Sequence, residues 1–349
     1  MADVVLITGV SRYLGGAFAR ALSQVDPART IVGVDVIPPP HDIGRAEFVR
    51  ADIRSPMIGK LIEQYAVDTV VHMGVIATPL GAGGRATQKE INVIGTMQLL
   101  AACQKAPRVR KLVVKSTAGV YGASHRDPAL FTEEMAAKRL PKLGFGKDSV
   151  DVEAYVRGFA RRRPDVGITT LRLANVIGPR VRTAMTDYFR LPVVPIPLGW
   201  DARLQFLHED DVAAAMIAAT LGEPADTVNV AGDGIITVSQ AIALAGRPFV
   251  TIPTPLSTGL STIFKRTGLI DFSPEQLDLL VYGRGLDTTR MKTVLGFEPA
   301  YSTKAAFEDF VAAAPRPVDT ALTAIAGAVD DAGSALHSLV GAVPIGRNR

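Results

Sequence analysis

Short, wholly apolar runs alternate with longer stretches in which apolar residues recur every three or four positions. Val4–Thr8 reads as a buried strand and 14–23 as the helix that follows it. Further strands are predicted over 31–35, 70–73, 111–115 and 168–173, with a helix over 92–105 between two of them. Strands this apolar, joined by helical crossovers, imply a parallel sheet covered on both faces. Right-handed crossovers then give an α/β, doubly wound sheet of Rossmann type.

Beyond residue 178 the pattern changes. Pro192, Pro195 and Pro197 interrupt short strands. A helix over 210–221 and a strand over 227–230 are expected to return to the main sheet. The expected organisation is a dinucleotide-binding domain over 1–178, rejoined by 202–245, and a smaller substrate lobe over 179–201 and 246–312. In the tail, 313–349, Leu322, Ile325, Val329, Ala332, Leu336, Leu339 and Val343 fall three or four apart, the stripe of an amphipathic helix. Docking on the chain's own body or on a second subunit is one role for it. Contact with a membrane surface is the other, although the opposite face lacks the Lys and Arg of a lipid-binding helix.

Composition narrows the class. Of 349 residues 48% are hydrophobic and 21% charged, with a formal net charge of +4, which describes a globular protein with no marked pull toward nucleic acid. The densest basic run, Arg161-Arg162-Arg163, reads as a helix end, where cations are favoured. Cys103 is the only cysteine, so neither an internal disulfide nor a cysteine metal cluster is available, and no metal site is expected. The chain enters a strand directly after Met-Ala-Asp and holds no apolar run of membrane-spanning length. A cytoplasmic location is expected on those grounds.

Candidate chemistry begins at the first strand–helix junction, Thr8-Gly9-Val10-Ser11-Arg12-Tyr13-Leu14-Gly15. Glycines here permit a tight turn and let a pyrophosphate approach the amides of the helix N-terminus. The middle glycine of the usual motif is absent, with Arg12 in its place. Asp35 ends the second strand at the spacing where a carboxylate binds the adenosine ribose and repels a 2′-phosphate, which favours NAD. Arg12 argues for NADP, since a guanidinium near that ribose pairs with the phosphate.

Taken with this junction, further segments are similar to the extended short-chain dehydrogenases/reductases of the NAD-dependent epimerase/dehydratase family, of the UDP-glucose 4-epimerase-like kind. Asp52 and Ile53 resemble the adenine contact after the third strand, and Met73 and Gly74 the cofactor-lining end of the fourth. Asn92 resembles the opening of the next helix, and Ser116-Thr117-Ala118-Gly119-Val120-Tyr121-Gly122 the active-site strand end. Asn175, Gln205 and His208 resemble substrate-side landmarks, and 287–297 a later one. The resemblance implies a nucleotide-sugar substrate, a homodimer, and three catalytic groups: a Ser or Thr that orients the substrate oxygen, a Tyr as general acid/base, and a Lys four residues after it.

Thr117 matches the first of these. The other two positions hold Phe145 and Ser149, and phenylalanine has no proton to exchange. Local replacements for the base are Lys147, Asp148, Glu134, His125 and Tyr121, of which a desolvated Lys147 is the entry point to base chemistry. Three functions remain open: an epimerase/dehydratase-like protein on a nucleotide sugar, a catalytically silent NAD(P)-binding regulator or scaffold, and an oxidoreductase on a lipid or sterol-like substrate. The last is suggested by the nearly uncharged run over 252–264.

Overall fold

The computed structural model describes residues 3–77, 83–142, 144–252 and 274–313. The tail helix expected beyond 313 and the uncharged run over 253–264 lie outside the described residues.

Seven parallel strands form the central sheet. They are β1 (Val4–Thr8), β2 (Thr30–Asp35), β3 (Glu47–Arg50), β4 (Thr69–His72), β5 (Lys111–Thr117), β6 (Gly167–Leu173) and β11 (Asp226–Val230), in the spatial order β11-β6-β5-β4-β1-β2-β3. The order reverses at β1, where β2 lies on one side and β4 on the other, so the carboxyl ends of these strands open a crevice. Strand residues alternate between faces. Val5, Ile7, Val71, Val113 and Leu171 share one core with α1 (Tyr13–Val25) and α7 (Glu209–Leu221). Leu6, Val70, Leu112 and Val114 share the other with α2 (Met57–Gln64), α4 (Thr96–Lys105) and α5 (Gly144–Arg162).

A third core lies off the sheet, around Tyr188, Phe189, Phe206, Phe307 and Phe310. It gathers β7 (Asn175–Ile177), α6 (Ala184–Phe189), β8 (Val194–Pro197), β9 (Arg203–Leu204), β10 (Phe206–His208), β12 (Ile236–Thr237), α8 (Val238–Ala245), α9 (Pro274–Tyr282) and α11 (Thr303–Ala312), while β13 (Phe249–Ile252) pairs with β8 at its exposed edge. A short helix, α10 (Thr289–Thr293), packs instead beside β11. Of the stretch 202–245 expected to rejoin the sheet, α7 and β11 do so, whereas β9, β12 and α8 belong to this second body. The lobe is therefore built from more separate pieces than the proline pattern implied.

The helix expected over 92–105 begins earlier, as α3 (Arg85–Lys89), and passes through a π-helical turn, Glu90–Gly95, before α4. The last arginine of the basic run that ends α5 has a definite task. Arg163 donates to the carbonyls of Cys103 at 2.9 Å, Ala106 at 3.1 Å and Val109 at 3.0 Å, closing the unpaired C-terminal end of α4. Cys103 is buried, and burial pushes its thiol up to about 12, which leaves it inert. Among the described residues no helix is long and apolar enough to cross a membrane, and no group of side chains is arranged to hold a metal ion.

Candidate active site

The β1–α1 turn is shaped for close approach. Gly9 has φ +82°, and a Cβ there would stand 2.8 Å from Gly74 Cα at the end of β4. A Cβ on Gly15 would stand 2.2 Å from the Gly9 carbonyl oxygen. Arg12, by contrast, is extended (φ −92°, ψ 147°), a conformation open to any residue, so the missing middle glycine costs no backbone strain. No side chain caps α1 and its first turn holds no acid, leaving its amides to an anion. Asp35 accepts from the amides of Ser11 at 3.0 Å and Val36 at 2.8 Å, which fixes its carboxylate beside the turn. Gly15→Ala is expected to destabilise the protein by about 1–3 kcal/mol through that clash. The same change should weaken dinucleotide binding at least about tenfold, read by denaturation and calorimetry.

Around this cradle the landmarks take different roles. Met73 is buried in the core beneath Gly74. Asn92, in the π-helical turn, accepts from Ile76 N at 2.7 Å and donates to Ile76 O at 2.9 Å, so it holds the loop after β4 and does not itself face the crevice as a free amide. Asp52 is gripped by Arg54, whose Nη2 lies 2.7 Å away and which lowers the carboxyl pKa, while Ile53 packs beneath Gly95. Tyr13 donates to Glu209 at 3.2 Å. Buried His72 bridges Thr8 Oγ1 (2.7 Å) and Thr96 Oγ1 (2.8 Å). Since Thr96 spends its proton on Asn92 O, His72 carries its own on Nε2 and stays neutral; burial pushes it down to about 3.

Between sheet and lobe lies a cleft of about 740 Å³, lined from β5 by Lys115, Ser116 and Thr117, from α5 by Phe145 and Lys147, and from β7 by Asn175. Thr117 Oγ1 accepts from Gly119 N at 3.1 Å, which sets its rotamer and leaves its hydroxyl proton for the cleft. Phe145 lines the wall with an apolar ring, and Ser149 Oγ donates to Phe145 O at 2.9 Å, turned back into its own helix. Ser116 donates to Glu153 at 2.7 Å, and Glu153 is paired with Arg172 at 2.7 Å.

The replacement bases fare unequally. Lys147 is half-exposed and ion-paired with Asp151 one turn on. Asp148 is buried but held by Arg85 at both oxygens and by Asn92. Tyr121 is buried, receives Arg172 and donates to Asn229 at 2.8 Å, and burial raises its pKa. Glu134 and His125 are exposed.

Two substrate-side candidates prove to be braces. Gln205 donates to Gly232 O at 3.0 Å and accepts from Leu286 N at 2.8 Å. His208 caps α7 through Asp210 N, meets Asp309 at 3.0 Å and stacks on Tyr301 at 3.8 Å. Both knit the lobe to the sheet; neither lines the cleft.

Two cations that do line it escaped the sequence reading. Arg284 donates twice to Gly122 O, at 2.9 and 2.6 Å, and forms no ion pair among the described residues; burial pushes it down to about 10. Lys115 reaches Val75 O at 2.9 Å and is pushed down to about 8, by burial first and by the charge of Arg12 second. Its signal was available: Lys115 shares the period-two face of buried Val113, an odd place for an ammonium.

The family model for the NAD dependent epimerase/dehydratase family matches residues 5–231. An uncharacterised protein of Mycobacterium tuberculosis is 47% identical over 311 residues, covering 88% of this chain and 83% of that one. Among solved structures, UDP-glucose 4-epimerase of Thermotoga maritima with UDP-glucose superposes at a TM-score of 0.69 with 21% identity, covering 89% of this chain and 98% of that one. The dTDP-glucose 4,6-dehydratase of Bacillus anthracis in complex with NAD gives 0.68 and 18%, covering 89% and 96%. At these identities the two structures show a shared fold.

Proposed function

Since this chain belongs to the NAD-dependent epimerase/dehydratase family, we propose that it binds NAD across the strand ends and a nucleotide sugar in the adjoining cleft. The observation that carries the nucleotide sugar is Arg284, a partly buried guanidinium in the cleft wall with donors beyond those spent on Gly122 and no carboxylate paired to it among the described residues. A diphosphate is the ligand group such a fork suits. Relatives in fold whose structures hold UDP-glucose or NAD support the same reading.

The residues fit the dinucleotide. Gly9 and Gly15 leave room that a Cβ would fill beside the uncapped start of α1, and Asp35, fixed there by the Ser11 amide, would accept from the ribose hydroxyls. That carboxylate favours NAD over its 2′-phosphorylated form. When bound, NAD supplies reversible oxidation of a carbinol carbon. Thr117 orients the substrate hydroxyl, and Phe145 shields it from water without exchanging a proton. This last feature favours a second reading, a binder that turns its ligands over slowly or not at all. Ile94 and Tyr155, exposed on the adjoining π-helical turn and α5, support a homodimer through that face.

Calorimetry with NAD and with UDP-glucose tests the proposal. Both are expected to bind, and Asp35→Asn is expected to weaken NAD by about tenfold, the loss of one charge-assisted hydrogen bond. Binding of neither ligand would overturn it. Formation of NADH on adding a UDP-sugar to the unaltered protein would remove the silent reading alone.

A further inference from the structure

Lys115 stands two residues before Thr117 on the same face of β5, at the inner end of the crevice. Its Nζ spends one of three N–H groups on Val75 O, the carbonyl just past β4, and pairs with no carboxylate among the described residues. The charge of Arg12, on the β1–α1 turn, acts on it, and the carboxylate of Asp35 acts in turn on Arg12. The other ionisable groups on the packed elements are already committed. His72 on β4 is neutral. On α5, Asp148 and Glu153 are held by Arg85 and Arg172, and Asp151 by Lys147. On α7, Glu209 and Asp210 are held by Arg180, and Asp211 by the amides of Ala300 and Tyr301.

A cleft-lining ammonium that spends one N–H on a carbonyl and pairs with no carboxylate among the described residues makes a place for an anion. In a doubly wound sheet with the acidic ribose contact at the end of β2 and the anion-receiving amides at β1, a dinucleotide continues toward β4 and β5. Lys115 meets it there. Ser149, at the position where a helix lysine is expected, is folded onto Phe145 O and extends nothing into the crevice.

We propose that Lys115 supplies, from β5, the cation that anchors the pyrophosphate and inner ribose of the dinucleotide, so that cofactor binding takes up a proton. The inference rests on the NAD reading above. An anionic ligand favours the charged form of Lys115, so its pKa in the complex lies above the free value of about 8. The sign follows: affinity is complete below the free pKa and is lost as pH rises through the pKa of the complex. Cys103 and His72, displaced to about 12 and about 3, do not titrate in that window.

The test is calorimetry of NAD binding at pH about 7 and about 9.5, in buffers of differing ionisation enthalpy. The wild type is expected to lose about tenfold in affinity across that range and to take up protons near pH 8. Lys115→Met should bind about tenfold more weakly at the lower pH, with no uptake and a flat profile. Lys115→Arg should keep the affinity and lose the pH dependence, because arginine stays charged. A Lys115→Met protein that matches the wild type in affinity and proton uptake would overturn the inference and leave the NAD reading standing. A wild type that binds no dinucleotide would overturn both.

Discussion

Glu209→Ala is expected to lower the unfolding free energy by about 3 kcal/mol and the melting temperature by roughly 6–12 °C. Glu209 opens α7 with a side chain that is fully buried. It accepts from Arg180 Nε at 2.7 Å, from the amides of Arg180 at 3.1 Å and Val181 at 2.6 Å, and from Tyr13 at 3.2 Å. Removing it leaves the amides of Arg180 and Val181 and the Tyr13 hydroxyl without that acceptor, with only Asp210 left to the Arg180 guanidinium, and forfeits a favourable charge at a helix N-terminus. Arg180 is half-exposed and regains water, which places the loss at the lower end of what breaking a buried pair costs. The consequence reaches the cleft, because Glu209 ties the segment leading into the lobe to the start of α1. Glu209→Gln keeps the acceptor oxygen without the charge and should lose about half as much. Thermal and urea denaturation read both variants; a loss below about 1 kcal/mol for Glu209→Ala would show that the segment holds without it.

The nucleotide half of the molecule was legible because its physics is local. Buried parallel strands are continuously apolar, and β1, β2, β4 and β5 advertised themselves that way. β3 did not, since it lies at the sheet edge and only Phe48 and Val49 of its four residues are apolar. Gly9, Gly15 and Asp35 sit at spacings set by one turn, so sequence order conveys their proximity. The inner cleft depends on long-range contacts that no spacing encodes. Gln205 and His208 read as substrate groups until their partners, Leu286 and Asp309, were seen to come from the lobe's last segment. Lys147 read as a base while its partner, one helical turn away, went unweighed. Arg284 was invisible for the converse reason: its partner, Gly122 O, is remote in sequence, and an arginine beside two glycines resembles any solvated loop.

Arg284→Met is expected to weaken UDP-glucose binding by about 10- to 100-fold while leaving NAD affinity unchanged. The guanidinium is partly sunk in the cleft wall and oriented by Gly122 O, so it is already aimed and desolvated before any ligand arrives. A diphosphate meeting it gains charge-assisted hydrogen bonds worth about 1.5–3 kcal/mol, which converts to that range of affinity. The selectivity is the sharper part of the expectation. Arg284 follows the lobe helix α9, whereas the NAD cradle is built from the ends of β1, β2 and β4. Arg284→Lys retains a charge but not the planar fork, and should fall between wild type and Met. Methionine keeps most of the aliphatic volume, so a fold change in ligand affinity with an intact melting curve isolates the charge. Equal loss of NAD and UDP-glucose would mean that the arginine braces the whole cleft through Gly122, and unchanged UDP-glucose binding would place the diphosphate elsewhere.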